Sequence, residues 1–252
     1  MVDRRGAGRV GMIVCTATML VLCAGTATPV FAQTLPDSHE MAERMLSAIG
    51  GRNAWARVSS TFNDSQQNRL GDPTVVRTLI TMEFERQRFR IETTAPDLHL
   101  IRVVDHDRSW RLNRQGRIES LPGAVVAEDL RWYAGHVYRT IQRIAKRDPA
   151  LSLTVHRNGR LEVYERDARI AWLALDARGE PYAFGAHDDD TGSICGPWDF
   201  EVAGIRHPIW VSRPDGSWRA MLITLEVNPA IDHALFARPD SANPGSTFPD
   251  RP

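Results

Sequence analysis

The sequence has almost no lysine. Of its 31 basic residues only Lys146 is lysine, and 31 acidic residues balance them. With no excess of positive charge, nothing drives the counterion release on which bulk nucleic-acid binding depends. Cysteine is scarce as well, and three are too few for a disulfide framework. Familiar enzyme signatures are missing: no phosphate-binding loop, no Gly-x-Ser-x-Gly elbow and no Cys-x-x-Cys. What the 252 residues do hold is 42% hydrophobic, 8% aromatic and 25% charged, the composition of a packed globule and not of a disordered chain. The length suits one large domain or two small ones.

Residues 1–32 read as a secretory signal peptide. Arg4, Arg5 and Arg9 precede a mostly apolar run from Val10 to Gly25, and Pro29-Val30-Phe31-Ala32 offers a cut after Ala32. The apolar run is shorter than the roughly 20 residues of a spanning helix, and Cys23 follows Leu22, not the small residue a lipoprotein site needs. Cleavage takes away Cys15 and Cys23, so Cys195 stands alone and no internal disulfide is expected. It also removes Gly6-x-Gly8-x-x-Gly11, which matches a dinucleotide fingerprint by letters but follows no strand. No later segment is apolar enough to span a membrane, so the expectation is a soluble, exported, periplasmic protein.

In the mature chain, Ser38–Ile49 reads as a short helix with Ser38 as N-cap, stopped by Gly50-Gly51. From Val58 to Leu121 the period is two. Val76, Ile80, Met82 and Phe84 share a face, and Phe89 and Ile91 oppose Arg88, Arg90 and Glu92. Val126, Leu130, Tyr133, Val137, Ile141 and Ile144 then recur at three and four, predicting one amphipathic helix of about six turns over 125–147. Strands resume at Leu151, with Asn158-Gly159 as a hairpin turn, and continue over 161–163, 169–176, 181–186, 198–203, 205–212 and 217–227. Several are apolar on both faces: Ile170 and Trp172 oppose Leu173 and Leu175, and Trp218 and Leu222 oppose Ile223 and Leu225. Such strands are covered on both sides, with the long helix as the expected cover. The fold class is therefore α+β and mostly antiparallel β: a single large curved half-barrel sheet of about ten strands wrapped around one long helix, with a short N-terminal helix. Residues 33–237 form a single domain, and 238–252, with four prolines, read as a flexible tail.

Candidate chemistry is thin. His39-Glu40 opens a zincin-like pattern, but Glu43 stands where the second histidine belongs. His187-Asp188-Asp189-Asp190 and Asp105-His106-Asp107 read as turns before they read as metal loops. Cys195 lacks an evident base and reads as a buried thiol. Arg131, Arg139, Arg143, Lys146 and Arg147 read as the solvated face of the long helix, with contact to an anionic surface as the alternative.

Three stretches together resemble the LolA-like group of periplasmic outer-membrane lipoprotein carriers and sorting proteins. They are Met45-Leu46-Ser47-Ala48-Ile49-Gly50-Gly51-Arg52-Asn53-Ala54-Trp55, then Val104-Asp105-His106-Asp107-Arg108-Ser109-Trp110, and Val227-Asn228-Pro229 through Arg238-Pro239. His106 departs from the glycine that family chains place after the turn aspartate. The resemblance spans about residues 36–239. It implies a half-open barrel, no catalytic residues, no cofactor, and non-covalent carriage of a lipid acyl chain or lipoprotein.

The leading expectation is thus a non-enzymatic, metal-free lipid or lipoprotein binder of the cell envelope. Its hydrophobic cavity is expected among Phe84, Phe89, Ile91, Leu100, Trp110, Trp132, Tyr133, Val137 and Ile141. The alternative is an interaction or sensor module with a filled core that docks on an envelope protein partner. A hydrolase using Cys195 or a metal at His187–Asp190 is the third reading.

Overall fold

The computed structural model describes residues 36–239. The signal-peptide segment 1–32 and all but Arg238 and Pro239 of the expected tail lie outside the described residues. Two helices, α1 (Ser38–Ala48) and α2 (Arg52–Ala56), come first among the described residues. Six strands follow: β1 (Ser60–Arg69), β2 (Asp72–Glu83), β3 (Arg88–Ala95), β4 (Leu98–Val104), β5 (Trp110–Leu112) and β6 (Ile118–Ser120). Helices α3 (Gly123–Ala134) and α4 (Val137–Ala145) come next. The second run of strands is β7 (Leu151–Val155), β8 (Leu161–Glu165), β9 (Ala168–Leu175), β10 (Pro181–Ala186) and β11 (Ser193–Cys195). It ends with β12 (Phe200–Val202), β13 (Ile205–His207), β14 (Trp210–Ser212) and β15 (Trp218–Val227).

Among the described residues, thirteen strands join one open antiparallel sheet in the order β6-β5-β4-β3-β2-β1-β15-β14-β11-β10-β9-β8-β7, and β12 pairs with β13 in a separate two-stranded sheet. Two meanders are thus joined through the central pair of β1 and β15. The short strands at Ser193–Cys195 and the break at Pro208 raise the count above the expected ten.

The sheet has to curl. Laid flat, β4 and β10 would be seven strand spacings apart, or about 34 Å. Helix α3 is only about 18 Å long, yet it touches both. Asp129 accepts from Arg102 of β4 at 2.8 Å, and Arg131 pairs with Asp188, just past β10, at 2.8 Å. The carbonyl of Arg131 also accepts from His187 Nε2 at 2.5 Å.

The expected long helix is two. It breaks at Gly135 and His136, where His136 is extended (φ −62°, ψ 131°). A Cβ on Gly135 would collide with the carbonyl oxygen of Ile170 and crowd Ala186, so the corner can press against β9 and β10 only as glycine. Helix α4 is sunk in the core through Tyr138, Ile141, Ile144 and Ala145, whereas α3 buries only Asp129 and Tyr133. The helix arginines are not all solvated: Arg139 lies over the Tyr133 ring, and Arg143 is buried between Asp148 (2.7 Å) and Glu165 (2.6 Å).

The N-terminal helix is capped one residue earlier than expected. Asp37 accepts from the backbone N–H of His39 and Glu40. Past Gly50-Gly51 the chain turns helical again instead of entering a strand, and this seats Trp55 in the core with its Nε1 donating to the carbonyl of Ile49 at 2.8 Å.

The main core lies between the inner face of the sheet and helices α1, α2 and α4. Covering of the outer face is local and does not come from the long helix. Trp172 and Ala174 of β9 are sealed by the following loop, with Trp172 Nε1 donating to the Asp189 carbonyl at 2.8 Å. Over β4 and β5, Ile101, Val103 and Trp110 are covered by the C-terminal segment through Phe236. Arg238, expected in a free tail, donates to Ser120 Oγ at 2.8 Å.

A bulge in β15 also changes which side chains face inward. Asp64 pairs with Thr224 and Ser65 with Leu222, so Ile223 is the extra residue. Leu222 and Leu225 both turn toward the core, and Ile223 is 51% exposed instead of sharing a face with Leu225.

Gly135→Ala should cost about 1–3 kcal/mol in urea unfolding because the helix corner must back away from Ile170. Gly123→Ala, where a Cβ meets nothing within 4 Å, should stay within about 0.5 kcal/mol of the parent.

Candidate functional site

Between the inner face of the sheet and the α3–α4 corner lies an open groove of about 770 Å³. Its size is that of a small-molecule site. One wall is apolar: Trp132 and Val137 from the helix corner, Phe184 from β10, Val211 from β14, and Leu222 from β15. The floor is mixed. Strand register places Ser65, Thr78, Thr93 and Leu100 directly across from one another in one row, and Asn63, Ile80, Ile91 and Arg102 in the next. Successive cross-strand partners lie on one face, so polar and aliphatic side chains mingle across the floor, with Glu128, Asp129, Asp189 and Arg213 also in the lining.

Several floor and corner atoms have no hydrogen-bond partner among the described residues. Thr78 Oγ1 and Asp129 Oδ2 are buried without a hydrogen bond, as are Asn63 Oδ1 and His136 Nδ1. All four residues line the groove. A buried polar atom left unpaired costs of the order of 1–3 kcal/mol, so these four atoms are placed to hydrogen-bond to whatever occupies the groove, water included. Burial, reinforced by the nearby charge of Arg139, pushes the His136 imidazole down to about 4. It is held neutral between the rings of Trp132 (5.2 Å) and Tyr138 (5.5 Å). Burial raises the Tyr133 phenol to about 12, and its hydroxyl donates to the carbonyl of Glu83 at 2.7 Å.

Of the nine residues the sequence singles out for a cavity, the structure brings Ile91, Trp132 and Val137 to this groove. Leu100 lines a second cleft of about 570 Å³ that adjoins it. Phe84, Phe89, Tyr133 and Ile141 are sealed in the core, where Phe89 stacks on Tyr133 at 5.7 Å. Trp110 lies on the opposite face, its Nε1 donating to the Phe236 carbonyl at 3.0 Å. Periodicity finds buried positions, and most of these are buried by the protein itself. The residues it misses are the polar ones of β1. That strand reads Ser-Thr-Phe-Asn-Asp-Ser-Gln-Gln-Asn-Arg, almost devoid of aliphatic side chains, yet it sits at the centre of the sheet. A central strand without an apolar face is the signal that was available.

The other candidate groups are engaged elsewhere. Cys195 is buried, its Sγ donates to the Pro181 carbonyl at 3.1 Å, and burial pushes the thiol up to about 11. Asp188 pairs with Arg131, Asp189 with Arg213, and Asp190 with both Arg160 and Arg169. Asp105 pairs with Arg108, and its backbone N–H donates to Ser109 Oγ at 3.0 Å. Among the described residues, no three His, Cys, Asp or Glu side chains gather as a metal site, and no helix is long and apolar enough to cross a membrane.

No protein family's sequence profile matches the chain, and no curated protein matches it by sequence. Among solved structures, a DUF1329 family protein from Desulfovibrio piger is similar at 10% identity and a TM-score of 0.38, covering 79% of this chain and 95% of that one. An uncharacterized conserved protein from Thermus thermophilus is similar at 10% identity and a TM-score of 0.33, with 81% and 96% covered. The Pseudomonas aeruginosa MucA/MucB complex gives 14% identity and a TM-score of 0.31, with 80% and 60% covered. At these scores the likenesses support no assignment.

The neutral state of His136 makes stability pH-dependent. With a folded-state pKa of about 4 against 6.5 in the open chain, the unfolded chain takes up the proton first as pH falls. The stability tied to the neutral ring is complete above pH 6.5 and drains between 6.5 and 4, by about 3 kcal/mol. Subtracting the unfolding free energies of His136→Gln from those of the parent across this range should reveal the loss; parallel curves would mean the ring is charged or solvated in the folded protein.

Proposed function

We propose that the chain is an exported, non-catalytic binding protein that holds one amphiphilic ligand, a lipid or a lipid-modified peptide, in the groove beneath the α3–α4 corner. The observation that carries this reading is the groove itself: about 770 Å³, open, apolar along one wall and polar along its floor. A filled core would have made the docking-module alternative the stronger reading. Binding without turnover fits a thiol held protonated and carboxylates engaged by arginines. The double-glycine helix end, the Asp105 turn and the closing Asn228-Pro229 segment resemble LolA-like carriers and agree with this role.

Each buried CH₂ is worth about 0.8 kcal/mol, so a chain lying along Trp132, Val137 and Leu222 should tighten about fourfold per added methylene until the trough is full. Adjacent residues of β15 provide a matched test. Leu222→Asp puts a charge in the groove, and Ile223→Asp puts one on the exposed outer face. By native mass spectrometry with a series of alkyl maltosides, Ile223→Asp should bind as the parent does. Leu222→Asp should lose tenfold or more, with Val137→Arg as a second groove variant if the first melts early. Equal binding by all three would place the ligand elsewhere.

Export makes a separate prediction. Protein recovered from a bacterial periplasm should begin at Gln33 on N-terminal sequencing. A full-length chain retained in the cytoplasm would remove the envelope from the proposal.

A further inference from the structure

The inner face of the sheet does not stop at the groove. One cross-strand row runs Asn63, Ile80, Ile91, Arg102, Arg111, Glu119, through six strands from β1 to β6. Its chemistry changes along the way, from amide to aliphatic to guanidinium. The second cleft, of about 570 Å³, lies at the charged end, and it shares Ile91, Thr93 and Arg102 with the groove. The two spaces are therefore one trough with an apolar half and a basic half.

The basic half holds Arg102, Arg111, Arg114 and Arg117 with Glu119 in its lining and Asp129 paired to Arg102 from the groove side. Arg102 and Arg111 face each other directly across β4 and β5. Like charges in that position are destabilising, and each is met by its own carboxylate: Asp129 at 2.8 Å and Glu119 at 2.6 Å. That leaves Arg114 and Arg117, on the β5–β6 turn, with no ion pair to a carboxylate among the described residues, although the charge of Arg117 is felt at Glu119. The turn is held in shape by Asn113, whose side-chain oxygen accepts from the backbone N–H of Gln115 and Arg117, both at 3.0 Å. It thus presents two guanidiniums that form no ion pair among the described residues over a cleft that adjoins the groove. Guanidinium forks recognise phosphate and carboxylate oxygens in pairs.

We infer that the ligand is an anionic amphiphile, with its aliphatic chain in the groove and its phosphate or carboxylate head in the cleft under Arg114 and Arg117. This rests on the groove reading given above and specifies its ligand. A neutral or cationic head would leave the two arginines unmatched. A free anion would gain nothing from Ile91 and the apolar wall beyond it.

The test holds the chain constant and varies the head. Titration calorimetry of residues 33–252, below micellar concentrations, would compare dodecyl phosphate, dodecyl maltoside and inorganic phosphate. Dodecyl phosphate should bind at least tenfold more tightly than dodecyl maltoside, a difference of about 1.4 kcal/mol, and inorganic phosphate should bind far more weakly than either. In the Arg114→Glu/Arg117→Glu variant the preference should fall to about twofold or less, with maltoside binding unchanged. Both positions are on an exposed turn, so the fold should survive; a matching thermal melt checks it. Equal affinity for the two amphiphiles in the parent would overturn the anionic head while leaving the groove intact. Inorganic phosphate binding as tightly as dodecyl phosphate would overturn the link between cleft and groove. Failure of every dodecyl amphiphile to bind would overturn the groove reading and this inference together.

Discussion

A helix about 18 Å long has to touch two strands that a flat sheet would hold about 34 Å apart. Most of the molecule follows from that mismatch. The sheet curls until β4 and the end of β10 both reach α3, through Asp129 on one side and Arg131 on the other. Curling a thirteen-stranded sheet around two short helices leaves more inner surface than the helices can cover. Helices α1, α2 and α4 fill one end of the hollow with Met45, Leu46, Trp55 and Ile141, all fully buried. Helix α3 spans the other end without filling it, and the groove is what remains. Gly135 belongs to the same constraint. Without a residue that lacks a Cβ, the corner could not approach Ile170 closely enough for both contacts to close.

The outer face meets the complementary problem, because a curled sheet exposes its convex side. Over the β2–β3 turn the protein solves it with charge. Arg88, with 5% of its side chain exposed, pairs with Glu83 at 2.5 Å, approaches Asp105 at 3.6 Å, donates to Nδ1 of His233 at 2.6 Å and lies 4.0 Å over the Phe236 ring. A buried ion pair contributes little net stability, yet removing one partner strands the other at a cost of about 3–5 kcal/mol. Such a cluster fixes position more than it adds stability. It seats the C-terminal segment on the sheet, and Phe236 in turn covers Trp110. The Glu83 carbonyl also accepts from Tyr133 on α3, so the same turn anchors the spanning helix from the inner side.

Much of this was legible in the residues. The period-two runs mark β2, β3 and β4 with the correct inward faces, and Asn158-Gly159 marks the β7–β8 hairpin. The failures share a cause: each depends on a neighbour distant in sequence. The break at Gly135 is set by the carbonyl of Ile170, and a glycine inside an otherwise helical pattern does not reveal that approach. The bulge at Ile223 is fixed by the register against Asp64 and Ser65. Arg139 and Arg143 fit a solvated helix face until Tyr133, Asp148 and Glu165 close over them. Trp110 carries the right period for the inner row, but its partner is Phe236, 126 residues on. The site was the least legible part, because hydrophobicity is the signal periodicity reads, and the floor of the groove is written in Asn63, Ser65, Thr78 and Thr93.

That polar floor is also the strongest argument that the trough serves a ligand. β1 occupies the centre of the sheet, where apolar inward residues would contribute most to stability. In their place stand side chains that bury little hydrocarbon, and Asn63 Oδ1 on β1 and Thr78 Oγ1 on neighbouring β2 have no hydrogen-bond partner among the described residues. The fold tolerates this because helices α1, α2 and α4 supply a core that borders the trough and shares Tyr138 and Leu222 with its lining. The same division recurs one step along the sheet, where Arg102 faces Arg111 across β4 and β5. Unfavourable choices at the centre and at the edge of one continuous face run from hydrogen-bonding groups through Ile80 and Ile91 to guanidinium. From Ile80 and Ile91 to Arg102 and Arg111 the row passes from aliphatic to guanidinium, the polarity of the amphiphile proposed above with its head toward the β5–β6 turn.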